Sequence, residues 1–226
     1  MNELVHNHSQ AEQGSRSGGQ TKRTADPART RAEILEAATA EFGEKGLAGA
    51  RIDAIVAATR TSKRMIYYYF GSKDGLYLAT LVAKYQRVRD TEARLDLDDL
   101  PADEALRCLT AVTFDYHLNN ENYVRMVMSE NINRGQYLAQ AEDLQTLSRP
   151  AIALLARIYR RGVEAGLFRA GLDPADIHAS ISALSFFNVS NRYTFGLIFQ
   201  QDNQSPAYVA RRRENVVQMI LRYVLA

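Results

Sequence analysis

Tryptophan is absent from the 226 residues, and cysteine occurs once, at Cys108. A lone cysteine makes no intrachain disulfide and no paired-thiolate zinc site, so a reducing cytoplasm is the expected setting. Long apolar runs are also missing. The residues before Ile34 contain none, which argues against a secretory leader. The most apolar late stretch, ISALSFFNVSNRYTFGLIF, is interrupted by Asn188, Asn191 and Arg192, which makes it a poor membrane span. There is no glycine-rich phosphate loop and no HExxH pair. His117 and His178 stand far apart with no nucleophile or metal motif around them, and the HNH at 6–8 has no further His or Cys nearby. These gaps speak against an enzyme, a bound metal or a cofactor.

Lysine is missing from everything after Lys84. The net charge is only +2, but it is unevenly placed. Residues 16–94 hold 15 lysines and arginines against 9 aspartates and glutamates, whereas residues 95–226 hold 13 against 15. A basic front joined to a near-neutral remainder points to a polyanion partner for the front and a different task for the back.

Residues 1–25 are rich in Gly, Ser, Gln, Asn and Thr without periodicity, and read as a disordered polar tail. Asp26-Pro27 is an N-cap followed by a proline suited to the first helical turn. Ile34, Leu35, Ala38 and Phe42 then line one helical face, with Gly43 and Gly46 expected at its end. Ile52, Ile55 and Val56 give a short second helix, Ile66 and Phe70 a third after the Thr61-Ser62 cap, and Ser72 opens a longer fourth. Later helices are expected from Pro101 to about Asn119, Asn122 to about Asn133, and Pro150 to Ala165, with two more opened by Asp173-Pro174 and Ser205-Pro206. No stretch alternates apolar and polar residues long enough to argue a strand. The expected fold is all-α, with a helix-turn-helix unit over 26–75 and a larger helical unit over 76–226.

The segment RTSKRMIYYYFGSK, residues 60–73, sets four cations among four aromatic rings. At about 100° per residue, Ile66 and Phe70 share an inward face flanked by Tyr69. Arg64, Tyr67 and Tyr68 fall on the opposite side, with Lys63 and Met65 on the shoulders. Such an outward set suits the DNA major groove, where phosphates line the walls and base edges the floor. Lys73, in the first turn of the fourth helix, can reach a phosphate that also meets the amides of that helix end.

From Arg29 to about Leu81 the chain resembles the DNA-binding domain of the TetR family of bacterial repressors. The likeness lies in RTRAEILEAATAEFGEKG, ARIDAIVAA and above all SKRMIYYYFGSKDGLY. It implies backbone-phosphate contacts for Tyr67 and Lys73, and base or phosphate contacts for Lys63, Arg64, Met65 and Tyr69. The chain departs from the family at two places. Arg60-Thr61 replaces the usual Gly and small aliphatic of the turn, and Ala50-Arg51 replaces a capping Thr or Ser. Arg51 is placed to take over the phosphate, but Ala50 has no side chain with which to cap. The resemblance further implies a palindromic operator, a homodimer and an effector cavity in the second unit.

For that cavity the mixed aromatic, Met and polar residues are Phe114, His117, Tyr123, Met126, Phe186, Asn188 and Tyr193, with Arg125 and Arg192 as the cations if the ligand is an acid. Phe187, Phe199, Val216, Met219, Ile220 and Tyr223 give the last two helices more apolar surface than one face needs, and form the expected dimer surface. Arg211, Arg212 and Arg213 point three ways on a helix and do not make a second basic stripe. The rival to a DNA-binding regulator is an interaction protein whose basic head binds an acidic partner.

Overall fold

A computed structural model describes residues 26–141 and 144–226; the tail expected over residues 1–25 lies outside them, apart from its boundary with Asp26. The described residues form ten α-helices and a 3-10 turn at Leu138–Gln140, and no strand beyond a single bridge between Phe168 and Leu225. The helices are α1 (Pro27–Gly49), α2 (Ile52–Ala57), α3 (Lys63–Phe70), α4 (Lys73–Ala93), α5 (Ala102–Asn119), α6 (Glu121–Ile132), α7 (Leu144–Glu164), α8 (Pro174–Ser190), α9 (Arg192–Phe199) and α10 (Pro206–Val224). None is long and apolar enough to cross a membrane.

Helix starts follow the side chains that can take orphan amides. Asp26 accepts from the Ala28 amide, Ser62 from Met65, Ser72 from Gly75, Asp173 from Ala175 and Ser205 from Tyr208. Gly46, at φ 66°, breaks the end of α1. Gly43 serves a different end from the one its sequence suggests. A Cβ there would lie 2.6 Å from the Asn122 Cβ, so this glycine lets α1 and α6 touch inside the helix rather than closing it.

The first four helices close over Ile34, Phe42, Ile55, Ile66, Leu76 and Leu81. That core is not self-contained: Met126 of α6 is fully buried in it, and the Tyr77 hydroxyl donates to the Met126 carbonyl at 3.4 Å. Phe42, Tyr77 and Tyr137 stack edge to face through the same junction. Arg125 completes it, with Nε donating to the Gly43 carbonyl at 2.6 Å and Nη2 to the Glu44 carbonyl at 3.0 Å. A second core, centred on Leu106, Leu155, Ile158, Ile181, Val217 and Ile220, holds α5, α7, α8 and α10 together.

Three expectations change. Helix α7 begins six residues before Pro150, which sits exposed inside it at the cost of one amide donor. The end of the chain makes three helices, because Asn191 ends α8 and α9 forms separately before the αL residue Gln200. Val216 and Ile220 are withdrawn from the dimer surface. They are 0% and 1% exposed within their own chain and offer nothing to a partner. Tyr223 is half-buried against the same core with Arg169 over its ring. The exposed apolar side chains are instead Phe187, Leu197, Ile198, Phe199 and Met219.

The three consecutive arginines of α10 do diverge. Arg211 lies over the Tyr208 ring, Arg212 donates to Asn188, and Arg213 grips Asp115 with two nitrogens.

Candidate nucleic-acid interface

Helix α3 is eight residues long, about 12 Å at 1.5 Å per residue, which matches the width of the major groove. Ile66 is fully buried and Tyr69 and Phe70 half-buried, so the inward face anchors the helix to the head. Lys63, Arg64, Tyr67 and Tyr68 are exposed, with Tyr68 at 78% and Tyr67 at 41%, and Met65 sits at the edge. The Tyr68 ring meets Tyr69 edge-on at 5.5 Å, which keeps the outer phenol upright rather than folded down. An exposed tyrosine held this way meets a surface with little further ordering cost.

The two departures from the family pattern acquire a geometry. Ala58, at the end of α2, is right-handed, and none of the turn residues adopts a positive φ. Arg60 therefore stands in the turn without the freedom that only glycine has. Arg51 caps α2 without a side-chain bond, and Glu41 of α1 takes the Arg51 amide at 2.9 Å in its place. Burial pushes the Glu41 carboxyl up, but its hydrogen bonds to Lys45 and the Arg51 amide hold it below its ordinary value. An anion fixed at the start of α2 is favourable there.

Lys63 pairs with Asp53 at 3.1 Å, with both side chains more than half exposed. Such a pair is worth little and is cheap to exchange for a phosphate. Lys73 donates to the Ala48 carbonyl at 3.3 Å in the last turn of α1. Gly75 lets α4 follow α3 closely, since a Cβ would lie 2.2 Å from the Phe70 carbonyl oxygen. Helix α3 and the first turn of α4 are thus one tightly joined unit.

Residues singled out for an effector fall in different places. Phe114, Asn188 and Arg192 line a cavity of about 110 Å³ with Arg212 and Tyr208. Arg125 and Tyr193 line a cleft at the junction of α1 and α6, where Arg125 already holds two carbonyls. Met126 is withdrawn as a ligand contact because it is buried in the head core. His117, Tyr123 and Phe186 pack together with Tyr85 and Tyr116. His117 Nδ1 lies 2.9 Å from the Thr113 carbonyl, and burial lowers its pKa below the ordinary histidine value.

Behind that cluster lies a cavity of about 380 Å³ that no sequence pattern locates. Its apolar wall is Leu138, Leu147, Ala151 and Ile152, and its polar groups are Tyr85, Arg89, Ser148 and His178. The size is that of a small-molecule site. Four separate stretches of chain supply it, so no local motif could mark it.

Two family models match the chain, one near each end. Residues 34–80 match the model for bacterial regulatory proteins of the tetR family, and residues 103–220 match the model described as Tetracyclin repressor-like, C-terminal domain. The chain belongs to the TetR family. It is a DNA-binding transcriptional regulator of all-α fold. The HTH-type transcriptional repressor NicS of Pseudomonas putida is 35% identical to it over 174 residues, 77% of this chain and 82% of that protein. The HTH-type transcriptional repressor SCO4008 of Streptomyces coelicolor is 32% identical over 156 residues, 67% and 74% of the two chains. A bacterial regulatory protein of the tetR family from Rhodococcus RHA1 has the same fold, with a TM-score of 0.67 at 21% identity, covering 88% of this chain and 98% of that one.

Proposed function

We propose that this TetR-family regulator is a cytoplasmic, homodimeric repressor that leaves a palindromic operator when a small molecule fills the 380 Å³ cavity. Residues 26–75 serve as the DNA-binding unit and 76–226 as the effector and dimer unit, with α4 crossing between them. The outward face of α3 supports the reading most directly: cations, two phenols and a flexible Met edge on a helix the width of the groove. Arg64 reads a base, Tyr67, Lys73 and Arg51 hold phosphates, and Lys63, Met65, Tyr68 and Tyr69 complete the interface. Two relatives named as repressors favour repression over activation.

Release works by linkage, in which effector and operator favour different spacings of two heads and each weakens the other. Two physical routes join the sites. Helix α4 carries Lys73 at one end and Tyr85 and Arg89 in the cavity wall. Leu138, in the opposite wall, is tied to α6 because Glu130 accepts both the Tyr137 and Leu138 amides, at 2.9 and 2.8 Å. Helix α6 in turn grips α1 through Arg125. The dimer surface is the exposed set Phe187, Leu197, Ile198, Phe199 and Met219; a cluster of this kind marks a protein interface on a soluble chain.

Selection from a random duplex library with the purified full chain tests the reading. The expected product is a two-fold symmetric consensus bound by the dimer. A library that returns no consensus, with polyglutamate competing as well as DNA, would hand the basic head to an acidic protein partner.

A further inference from the structure

The side chain of Arg89 is 13% exposed, and its Nη1 lies 2.7 Å from Glu92 Oε2, one turn along α4. That approach lacks hydrogen-bond geometry, and no acceptor among the described residues takes a hydrogen bond from this buried nitrogen. A guanidinium carries five N–H donors in a planar fork, and burying it without acceptors is costly. Arg89 also lines the 380 Å³ cavity, so this incompletely satisfied cation lies in the cavity wall.

The rest of the wall narrows what that space would hold. Leu138, Leu147, Ala151 and Ile152 are aliphatic, which suits an apolar ligand body. Tyr85 and His178 add hydrogen-bonding groups without adding charge: burial pushes the Tyr85 phenol up, and burial with the charge of Arg89 pushes His178 down. One cation with a carboxylate already beside it fits a monoanion and not a phosphate dianion. Burial raises the pKa of Glu92 against the pull of Arg89. A guanidinium fork matches a carboxylate in two parallel bonds.

We propose that the cavity between α4, α7 and α8 takes a small organic monoanion, a carboxylate on a largely apolar body, with Arg89 as its counter-ion. This rests on the reading of the cavity as the effector site and adds the chemical class of the effector. Neutral amides of the same shape would offer the guanidinium a weaker, uncharged acceptor, and amines would oppose its charge.

The test uses matched triplets: benzoate, benzamide and benzylamine, their pyridine and cyclohexane counterparts, and hexanoate with its amide and amine. Each is added at millimolar concentration to the purified full chain, and the melting temperature is recorded. Carboxylates should raise it while the paired amides and amines do not. In Arg89→Gln the carboxylate response should fall by about 10–100-fold in apparent affinity, the scale of a missing charged hydrogen-bonding pair. Because Arg89→Gln leaves Glu92 alone in a buried site, Arg89→Gln with Glu92→Gln is the second variant, neutral and similar in shape. Equal stabilisation by amides, no stabilisation by any carboxylate, or a double variant that binds carboxylates within about threefold of the parent would each overturn the proposal. The thermal measurement needs no operator, so it fails or succeeds separately from the regulator reading. Operator release by an amide or amine would keep the effector role and sink the carboxylate.

Discussion

Apart from Arg51, the groups proposed to face DNA lie within eleven consecutive residues, Lys63 to Lys73, whereas the cavity draws its wall from four stretches between Tyr85 and His178. The difference is one of geometry. A groove-reading helix needs a single face, and a face follows from spacing along the chain. A cavity needs an interior left unfilled where several helices meet, and nothing in the spacing of any one helix encodes that. The head is therefore local, and removing one side chain there removes one interaction. The body is collective, and in the proposed mechanism it acts on DNA only by setting where two heads stand.

If that contrast holds, the largest effect on DNA binding should come from a site far from DNA. Phe187→Asp with Ile198→Asp places two charges in the exposed apolar patch, where the parent side chains are 42% and 71% exposed. The double variant should sediment as a monomer that keeps its helicity and loses at least about a hundredfold in operator affinity, since a single small head binds too few phosphates and bases. An intact dimer would move the interface elsewhere on the chain.

Next in size is the separation of base and phosphate recognition within the head. Arg64→Ala should cost about 1–3 kcal/mol on the selected operator and less on duplexes altered at its base pair. Lys73→Ala should weaken all duplexes alike and reduce the salt slope by about one for each phosphate no longer neutralised. Neither side chain lies on the Ile66 face, so both variants should melt close to the parent. Uniform weakening by Arg64→Ala across an operator library would assign this arginine to the DNA backbone and pass base reading to Lys63, Met65 or Tyr69.

The same contrast explains what the sequence disclosed. Caps were legible because Asp, Ser and Pro act within three residues: Asp26, Ser62, Ser72, Asp173 and Ser205 all start helices as their positions suggest. The buried Ile66 and exposed Tyr68 followed from one turn of periodicity. Val216 and Ile220 did not, because an apolar residue on a late helix looks the same whether it faces its own core or a partner. Arg125 was similarly opaque. Its task is set by the carbonyls of Gly43 and Glu44, 82 and 81 residues away. Nor could Pro150 reveal that its helix had already begun, since proline is tolerated at an exposed early turn as well as at the first.

Arg125 offers a smaller test, aimed at the join between the two regions. Arg125→Met keeps an unbranched side chain but removes both hydrogen bonds to the end of α1, at a cost of about 1–3 kcal/mol in stability. Operator affinity without effector should change little, because no DNA-binding group is touched. The reduction in operator affinity produced by a saturating effector should shrink, because α6 no longer grips α1. A double-mutant cycle with Leu138→Ala, read as effector-induced weakening of operator binding, checks whether both act along α6. Full additivity would leave α4 as the sole mechanical link.

The smallest effect separates the body from the head by pH. His117 and His178 belong to the body, and burial lowers both below the ordinary histidine value of about 6.5. In the unfolded chain each takes up a proton near that ordinary value, while the folded form resists it. Unfolding therefore gains protons as the pH falls, and stability declines below about pH 6.5 until the folded histidines titrate in their turn. Glu92 opposes this, since its raised pKa makes the folded state bind a proton more readily than the unfolded one. Urea unfolding of Glu92→Gln at pH 7.5 and 5.5 removes the opposing group and should show the steeper decline. Adding His117→Phe, which keeps a flat ring against Tyr123 and Phe186, should make the decline shallower by removing one of the two buried imidazoles. The head contains no histidine among its described residues, so a local probe such as amide exchange at Ile66 should follow the same pH dependence only if head and body unfold together. A protection factor at Ile66, taken against the intrinsic exchange rate at each pH, that stays constant while the body weakens would show that the head opens on its own, despite the burial of Met126 in its core.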